Sequence, residues 1–218
     1  MPETTHTKAA QTYHHGDLKA ALRAEAERIL VERGVADIGL REIARGIGVS
    51  HNAPYRHYPN REALLADIAA GGFQRLGALY LKDKTLPDPI DRIIAIGHSY
   101  LRFAKTEPAV FQLMLGKDLA KPQYADLKAA AGAAFSALQT ELLAFGVPAP
   151  AVSETLALWS MVHGMAVLAL NDRIDEHGGV IDLAQIVTTF TTTFLAGAKA
   201  QSEMHPQAAA SVAPVPAE

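Results

Sequence analysis

Residues 40–61 read LREIARGIGVSHNAPYRHYPNR and hold four arginines, two histidines, two asparagines and two tyrosines. These are the side chains that meet nucleic acid. An Asn amide pairs with adenine through two hydrogen bonds, and His bonds guanine or a phosphate. Arg, Tyr, Ser and backbone N–H groups bond phosphate oxygens, which position a protein on DNA without reading its sequence. Glu42 is the single acid in residues 38–61, so that segment carries a formal charge of +3, and His51 and His57 can add to it. From residue 63 onward, 11 Lys and Arg stand against 15 Asp and Glu, giving −4. A basic patch on an acidic body suits a chain that turns one face to phosphate. It does not suit a globally basic nucleic-acid coat, and the net charge of the whole chain is −3. Within the patch, His51 and Asn52 are expected to face base edges. Tyr55, His57, Arg61, Arg41 and Ser50 are expected to anchor phosphates. Arg45 and Arg56 read as solvated.

The elements that must position these groups follow from spacing and punctuation. Leu40, Ile43, Ala44 and Ile47 share one face of a short helix, which Gly48 ends. Ser50 can cap a second helix over residues 51–58, with Pro54 in its first turn and Pro59 at its end. Asn60 caps the next, from 61 to about 81. Before them, Asp17 can cap a helix that runs to Arg33 and stops at Gly34, with Leu18, Leu22, Ile29 and Leu30 at helical spacing. Two helices around a tight glycine turn make a helix-turn-helix, whose second helix lies in a major groove.

The rest of the chain also reads as helix, in segments parted by proline or glycine: 89–106, 108–115, 124–145, 152–174 and 183–198. No segment alternates with the period of two that a strand requires. The expected fold is all-α: a polar arm over 1–15, a three-helix DNA-binding domain over 16–62, a helical domain over 63–200, and a disordered tail rich in Ala, Pro and Ser over 201–218. Nearly half the residues are hydrophobic, ample for a core, and cysteine is absent, which removes disulfides and thiolate metal sites. No histidine-carboxylate cluster has metal-ligand spacing, so neither metal nor cofactor is expected. Residues 1–17 hold no apolar run, so no signal peptide is expected, and the longest strongly apolar run, 165–170, is too short to span a bilayer. A cytoplasmic protein with no membrane partner is expected.

The motifs Arg41-Glu42-Ile43-Ala44, Gly48-Val49-Ser50, Tyr55-Arg56-His57-Tyr58 and Arg61-Glu62-Ala63-Leu64-Leu65 follow one another without a gap. Together with TYHHGDL at the start of the first helix, they resemble the N-terminal domain of TetR-family transcriptional regulators. One departure stands out. The family commonly has Thr or Ser just before the second helix, where it caps the helix and touches phosphate; here Gly39 occupies that place. Further on, Trp159-Ser160-Met161-Val162-His163-Gly164 and residues 108–116 resemble a C-terminal domain of one branch of the family, marked by a Trp-His-Gly signature.

Trp159 and His163 are four residues apart and share a helix face. Two roles fit: a packed Trp with a structural His, or the wall of a ligand pocket. The resemblance implies the second, a cavity enclosed by the helices at 89–106, 124–145 and 152–174. Tyr100, Phe103, Phe111, Met114 and Phe135 could line it, and His98, His163 and Asn171 could be its polar groups. Such a pocket takes a largely apolar small molecule. The segment at 152–174 is apolar nearly all round, and Ile186, Val187, Phe190 and Phe194 repeat at helical spacing. These two helices either close a monomeric core or, as the resemblance implies, pair with a second copy into a four-helix homodimer interface. The family pattern implies a repressor that a small-molecule effector releases from a palindromic double-stranded DNA operator. Two rivals are a DNA-binding regulator with no effector and a helical enzyme. No nucleophile-base pair, metal triad or phosphate loop supports the enzyme.

Overall fold

A computed structural model of the chain describes residues 15–116, 119, 123–149, 151–174 and 181–204. Among them are eight α-helices, two 3-10 turns and no strand. The contacts divide the chain into two units, Met1–Ile68 and Ala69–Glu218.

In the first unit, α1 spans His15–Arg33. Leu22, Ala26, Ile29 and Leu30 are buried on one face of it, at the spacing that puts residues three and four apart side by side. Residues 15 and 16 are already helical, so Asp17 lies within the helix and not at the position before it. A 3-10 turn at Val35–Asp37 leads to α2 at Leu40–Gly46, which buries Leu40, Ile43 and Ala44. Gly48 then takes φ of +73°, a backbone conformation in which a β-carbon is strained.

The expected helix over 51–58 does not form. Residues 51–53 turn, and Pro54–Arg56 is a single 3-10 turn whose N-cap is Ala53, with no side-chain cap bond. Ser50 contributes its carbonyl to Ala53 N–H at 2.9 Å, not its hydroxyl to a helix start. Proline explains the shortening. Pro54 has no N–H to give to the Ser50 carbonyl, so the four-residue ladder is cut at its first rung. One α-type bond survives, Tyr58 N–H to Pro54 C=O at 2.9 Å. Pro54 and Tyr58 are buried, and this inward packing fixes the turn that the ladder does not. Helix α3, Arg61–Asp83, follows, with Asn60 Oδ1 accepting Ala63 N–H at 2.8 Å as its cap.

The second unit contains the rest of α3 and α4 (Pro89–Thr106), α5 (Pro108–Leu115), α6 (Ala125–Phe145), α7 (Val152–Leu170) and α8 (Leu183–Met204). Helix α4 packs against all four that follow it. Asp88 caps it through Ile90 N–H at 2.8 Å, and Pro89 opens it with a φ already helical. Ile93, Ile96, Tyr100 and Phe103 form its buried face; each such side chain taken from water stabilises by about 1.5–3 kcal/mol. Arg92 ties the helix start down: Nε meets Glu141 Oε2 on α6 at 2.6 Å, and Nη1 donates to the carbonyls of Leu86 and Pro87.

Two expected boundaries move. Helix α7 ends at Leu170, not 174: Asp172 turns left-handed at φ +55°, and Arg173 N–H closes the end on the Leu168 carbonyl at 3.0 Å. Helix α8 continues to Met204, so residues 201–204 of the expected tail are helical; residues 1–14 of the expected arm and 205–218 of the tail lie outside the described residues. Helix α7 has 19 residues and a mean hydropathy of 1.3, long and apolar enough by that measure to cross a membrane. Uninterrupted apolar runs understate it, because Ser and His break the run while the average stays high. Its Thr155, Leu158, Val162 and Ala166 are buried against the other helices.

Candidate nucleic-acid interface and effector core

The base-edge candidates His51 and Asn52 are both exposed on the turn after Gly48. Arg41 on α2 and Arg56 and Tyr55 in the proline turn are exposed too, Tyr55 to 46%. Arg41, Arg45 and Arg56 have no carboxylate partner among the described residues. The arginines of α1 differ. Arg28 pairs with Glu25 and Glu32, and Arg33 with Glu42 at 2.6 Å. Hydrogen bonding to Arg28 holds the Glu25 carboxyl below its ordinary range, and the same pairs raise Arg28 and Arg33. Positive charge is therefore neutralised along α1 and left open on α2 and the proline turn.

Two expected phosphate anchors are placed otherwise. Arg61 donates from Nε to the Ile38 carbonyl at 2.8 Å and from Nη2 to the Val35 carbonyl. It ties the start of α3 to the connection before α2, with two of its five donors used. His57 is half-buried, and its Nε2 is buried with no hydrogen-bond partner among the described residues. A scaffold residue that the spacing did not single out is Tyr58. It is 2% exposed and its hydroxyl donates to Asp67 Oδ2 at 2.8 Å, while Lys19 sits 3.5 Å from Asp67 and 5.7 Å over the tyrosine ring. Burial, then the Asp67 bond, pushes the Tyr58 phenol well above its ordinary value.

In the second unit the Trp-His pair is joined through a tyrosine. Trp159 Nε1–H donates to the Tyr100 hydroxyl at 3.2 Å, and the Tyr100 oxygen lies 3.0 Å from His163 Nδ1. Trp159 can only donate, so the Tyr100 oxygen accepts from it, and the direction of the bond between Tyr100 and His163 follows the histidine tautomer. Burial raises the Tyr100 phenol strongly. Phe111 closes the group, edge-on to Tyr100 at 5.3 Å and tilted on His163 at 5.8 Å.

Beside this chain is a cavity of about 30 Å³, whose walls include Tyr80, Ile93, Ile96, Tyr100, Leu138, Trp159 and Thr191. Of the expected lining, Tyr100 and Trp159 are there. Phe103, Phe111 and Met114 are fully buried in the core outside its walls. Phe135 is half-buried on α6, also outside them, and His163 reaches the site through Tyr100. Of the other polar candidates, His98 bonds the Ala184 carbonyl and Thr188 hydroxyl on α8, and exposed Asn171 ends α7. The walls that were missed carried a signal: residues 93, 96 and 97 recur with Tyr100 at helical spacing on α4.

Comparison with known proteins gives these arrangements a context. Residues 22–68 match the bacterial regulatory proteins of the tetR family, and residues 93–194 match the tetracyclin repressor-like C-terminal domain. An uncharacterized HTH-type transcriptional regulator of Mycobacterium tuberculosis is 28% identical over 185 residues, which cover 83% of this chain and 88% of that protein. A solved structure of a protein of unknown function from Rhodococcus sp. RHA1 is 33% identical with a TM-score of 0.72, covering 86% of this chain and 98% of that one. The TetR-family regulator PfmR from Thermus thermophilus shares the fold at 20% identity and a TM-score of 0.57, over 80% of this chain and 96% of its own.

Proposed function

The chain belongs to the TetR family of DNA-binding transcriptional regulators, and we propose that it is a homodimeric repressor released from a palindromic operator by a small, largely apolar molecule. The observation that carries the DNA half is the exposure of Asn52 and His51 on a turn flanked by unpaired Arg41 and Arg56. Asn52 and His51 would read base edges. Arg41, Ser50, Tyr55 and Arg56 would bond phosphates. Arg61 would act by holding the reader together, and His57 would stay with the scaffold.

A dimer is supported by apolar side chains that the described chain leaves uncovered: Leu156, Val167 and Leu168 on α7, and Ile186 and Phe190 on α8. Phe190 stacks on Phe194 at 6.1 Å, which stiffens this face. A two-fold dimer places two readers in successive major grooves, about 34–36 Å apart. An effector needs to bind one conformation better than the other by about 1–3 kcal/mol to give a useful response. The test is a gel shift on the gene's own promoter fragment, with small apolar molecules titrated in and the oligomeric state measured by light scattering. Binding of one monomer per half-site with no response to any such molecule would leave a DNA-binding regulator without an effector.

A further inference from the structure

The cavity beside Tyr100 is small and nearly full. Its volume of about 30 Å³ has room for little more than one water, far below the roughly 300 Å³ of a ligand pocket. One wall is rigid: a methyl placed on Gly97 of α4 would come within 2.7 Å of Val187 Cγ1 on α8, and Val187 is fully buried. The opposite wall is half-buried, made by Trp159 and Met161 of α7. What keeps Trp159 in place on its polar side is the bond from Nε1 to the Tyr100 hydroxyl. A molecule that enters here displaces that bond.

Resting on the ligand-responsive reading above, we propose that the Trp159–Tyr100 hydrogen bond is the latch of the effector site. The effector that opens it is uncharged, apolar along its length, and carries one hydroxyl or carbonyl oxygen. The chemistry follows from what the opening exposes. An indole N–H can only donate, so a displaced Trp159 needs an acceptor, and a buried donor without one is costly. A ligand oxygen supplies it. A hydroxyl also returns a proton to the Tyr100 oxygen and so replaces both ends of the latch, while a carbonyl replaces one. None of the side chains around the cavity carries a charge, so a carboxylate or an ammonium would enter without a counterion and lose its hydration.

Trp159 is the single tryptophan of the chain, so its emission reports on this wall alone. The experiment titrates the full-length protein with 1-octanol, 2-octanone, octanoate and octylammonium, following that emission, and repeats the series on release from the promoter fragment. The neutral pair should change the emission saturably, with the charged pair at least tenfold weaker, on the order expected for an uncompensated charge. Tyr100→Phe keeps the ring and removes the oxygen, so the octanol-to-octanone affinity ratio should fall about fivefold, the size of one lost hydrogen bond. If that variant does not fold, Met161→Phe should weaken both neutral probes together by narrowing the same wall. A charged probe that binds as well as octanol overturns the proposal, and so does a neutral probe whose binding leaves the emission unchanged. Release from the promoter by any probe without a change in emission removes this site but keeps the ligand-responsive reading. Silence in both readouts removes both.

Discussion

Asn52 and Trp159 are the residues on which the proposed recognition in each unit turns, and they are held in opposite ways. Asn52 stands exposed on a turn of a few residues, and what fixes it lies beneath: Pro54 and Tyr58 packed inward, and Arg61 bonded to the Val35 and Ile38 carbonyls. Trp159 is itself part of the packing, joined to Tyr100 and through it to His163. The difference matches the size of each proposed partner. A duplex stays in solvent and can be met only by side chains already outside, whereas a small molecule must be admitted into a packed core. Recognition and stability are therefore separable in the first unit and entangled in the second.

The largest expected effect tests that entanglement. Phe111 is 1% exposed and packs on both Tyr100 and His163, so Phe111→Ala should destabilise by about 3–5 kcal/mol, read from urea denaturation. Asn52→Ala should leave stability within about 0.5 kcal/mol while costing about 1–3 kcal/mol of discrimination at one base pair per half-site. Equal stability losses in the two variants would abolish the contrast. Arg61→Ala lies between them. It removes charged hydrogen bonds worth about 1.5–3 kcal/mol of stability and should weaken binding to all DNA sequences alike. If it weakened binding with the denaturation midpoint untouched, Arg61 would be a phosphate contact after all.

Tyrosine ionisation gives a smaller handle that reaches both units. Burial raises Tyr58 and Tyr100 above the ordinary phenol value near 10. Below about pH 10 the phenol is neutral folded or unfolded, and the stabilisation is complete. Above it the unfolded chain loses its proton first, so stability falls as pH climbs toward the raised folded values. Tyr58→Phe and Tyr100→Phe should each cost about 0.5–1.5 kcal/mol at neutral pH, and each should flatten part of the alkaline decline. A decline identical in both variants and wild type would assign it to other groups.

The sequence made the helices legible and left the contacts within each unit hidden. Helix starts at Pro89 and Pro108 and the cap at Asn60 are local signals, and the structure places those starts there. The short reader was half-legible: Pro54 was visible in the first turn, but its effect depended on the buried seats of Pro54 and Tyr58, which are tertiary facts. The bonds from Arg61 to carbonyls 23 and 26 residues earlier have no trace in local spacing, and an arginine beside a reading helix naturally reads as a phosphate anchor. For the same reason Trp159 and His163 could be put on one face but not joined, since the residue between them, Tyr100, lies about sixty positions away.

The smallest effect sharpens the contrast most cleanly. Gly39 is the N-cap of α2, in extended backbone at φ −137° and ψ 131°, with no side-chain cap bond and nothing within 4 Å of where a β-carbon would sit. A serine fits there without strain and can accept from the free N–H groups of the first turn. Gly39→Ser should therefore raise stability by about 0.5 kcal/mol, the sum of a few tenths from the cap and a stiffer unfolded chain. On the proposed DNA reading, the family resemblance places a hydroxyl here against phosphate, so affinity should rise about threefold on any sequence, the size of one neutral hydrogen bond. The salt dependence should stay the same, because a neutral hydroxyl displaces no counterion. Calorimetry and gel shifts at several salt concentrations read all three quantities. A tighter complex with a steeper salt slope would mean that the change had repositioned a charged side chain. Then the reader's outward residues would not be independent of the scaffold beneath them, and the distinction between the two units would fail on the side where it looks safest.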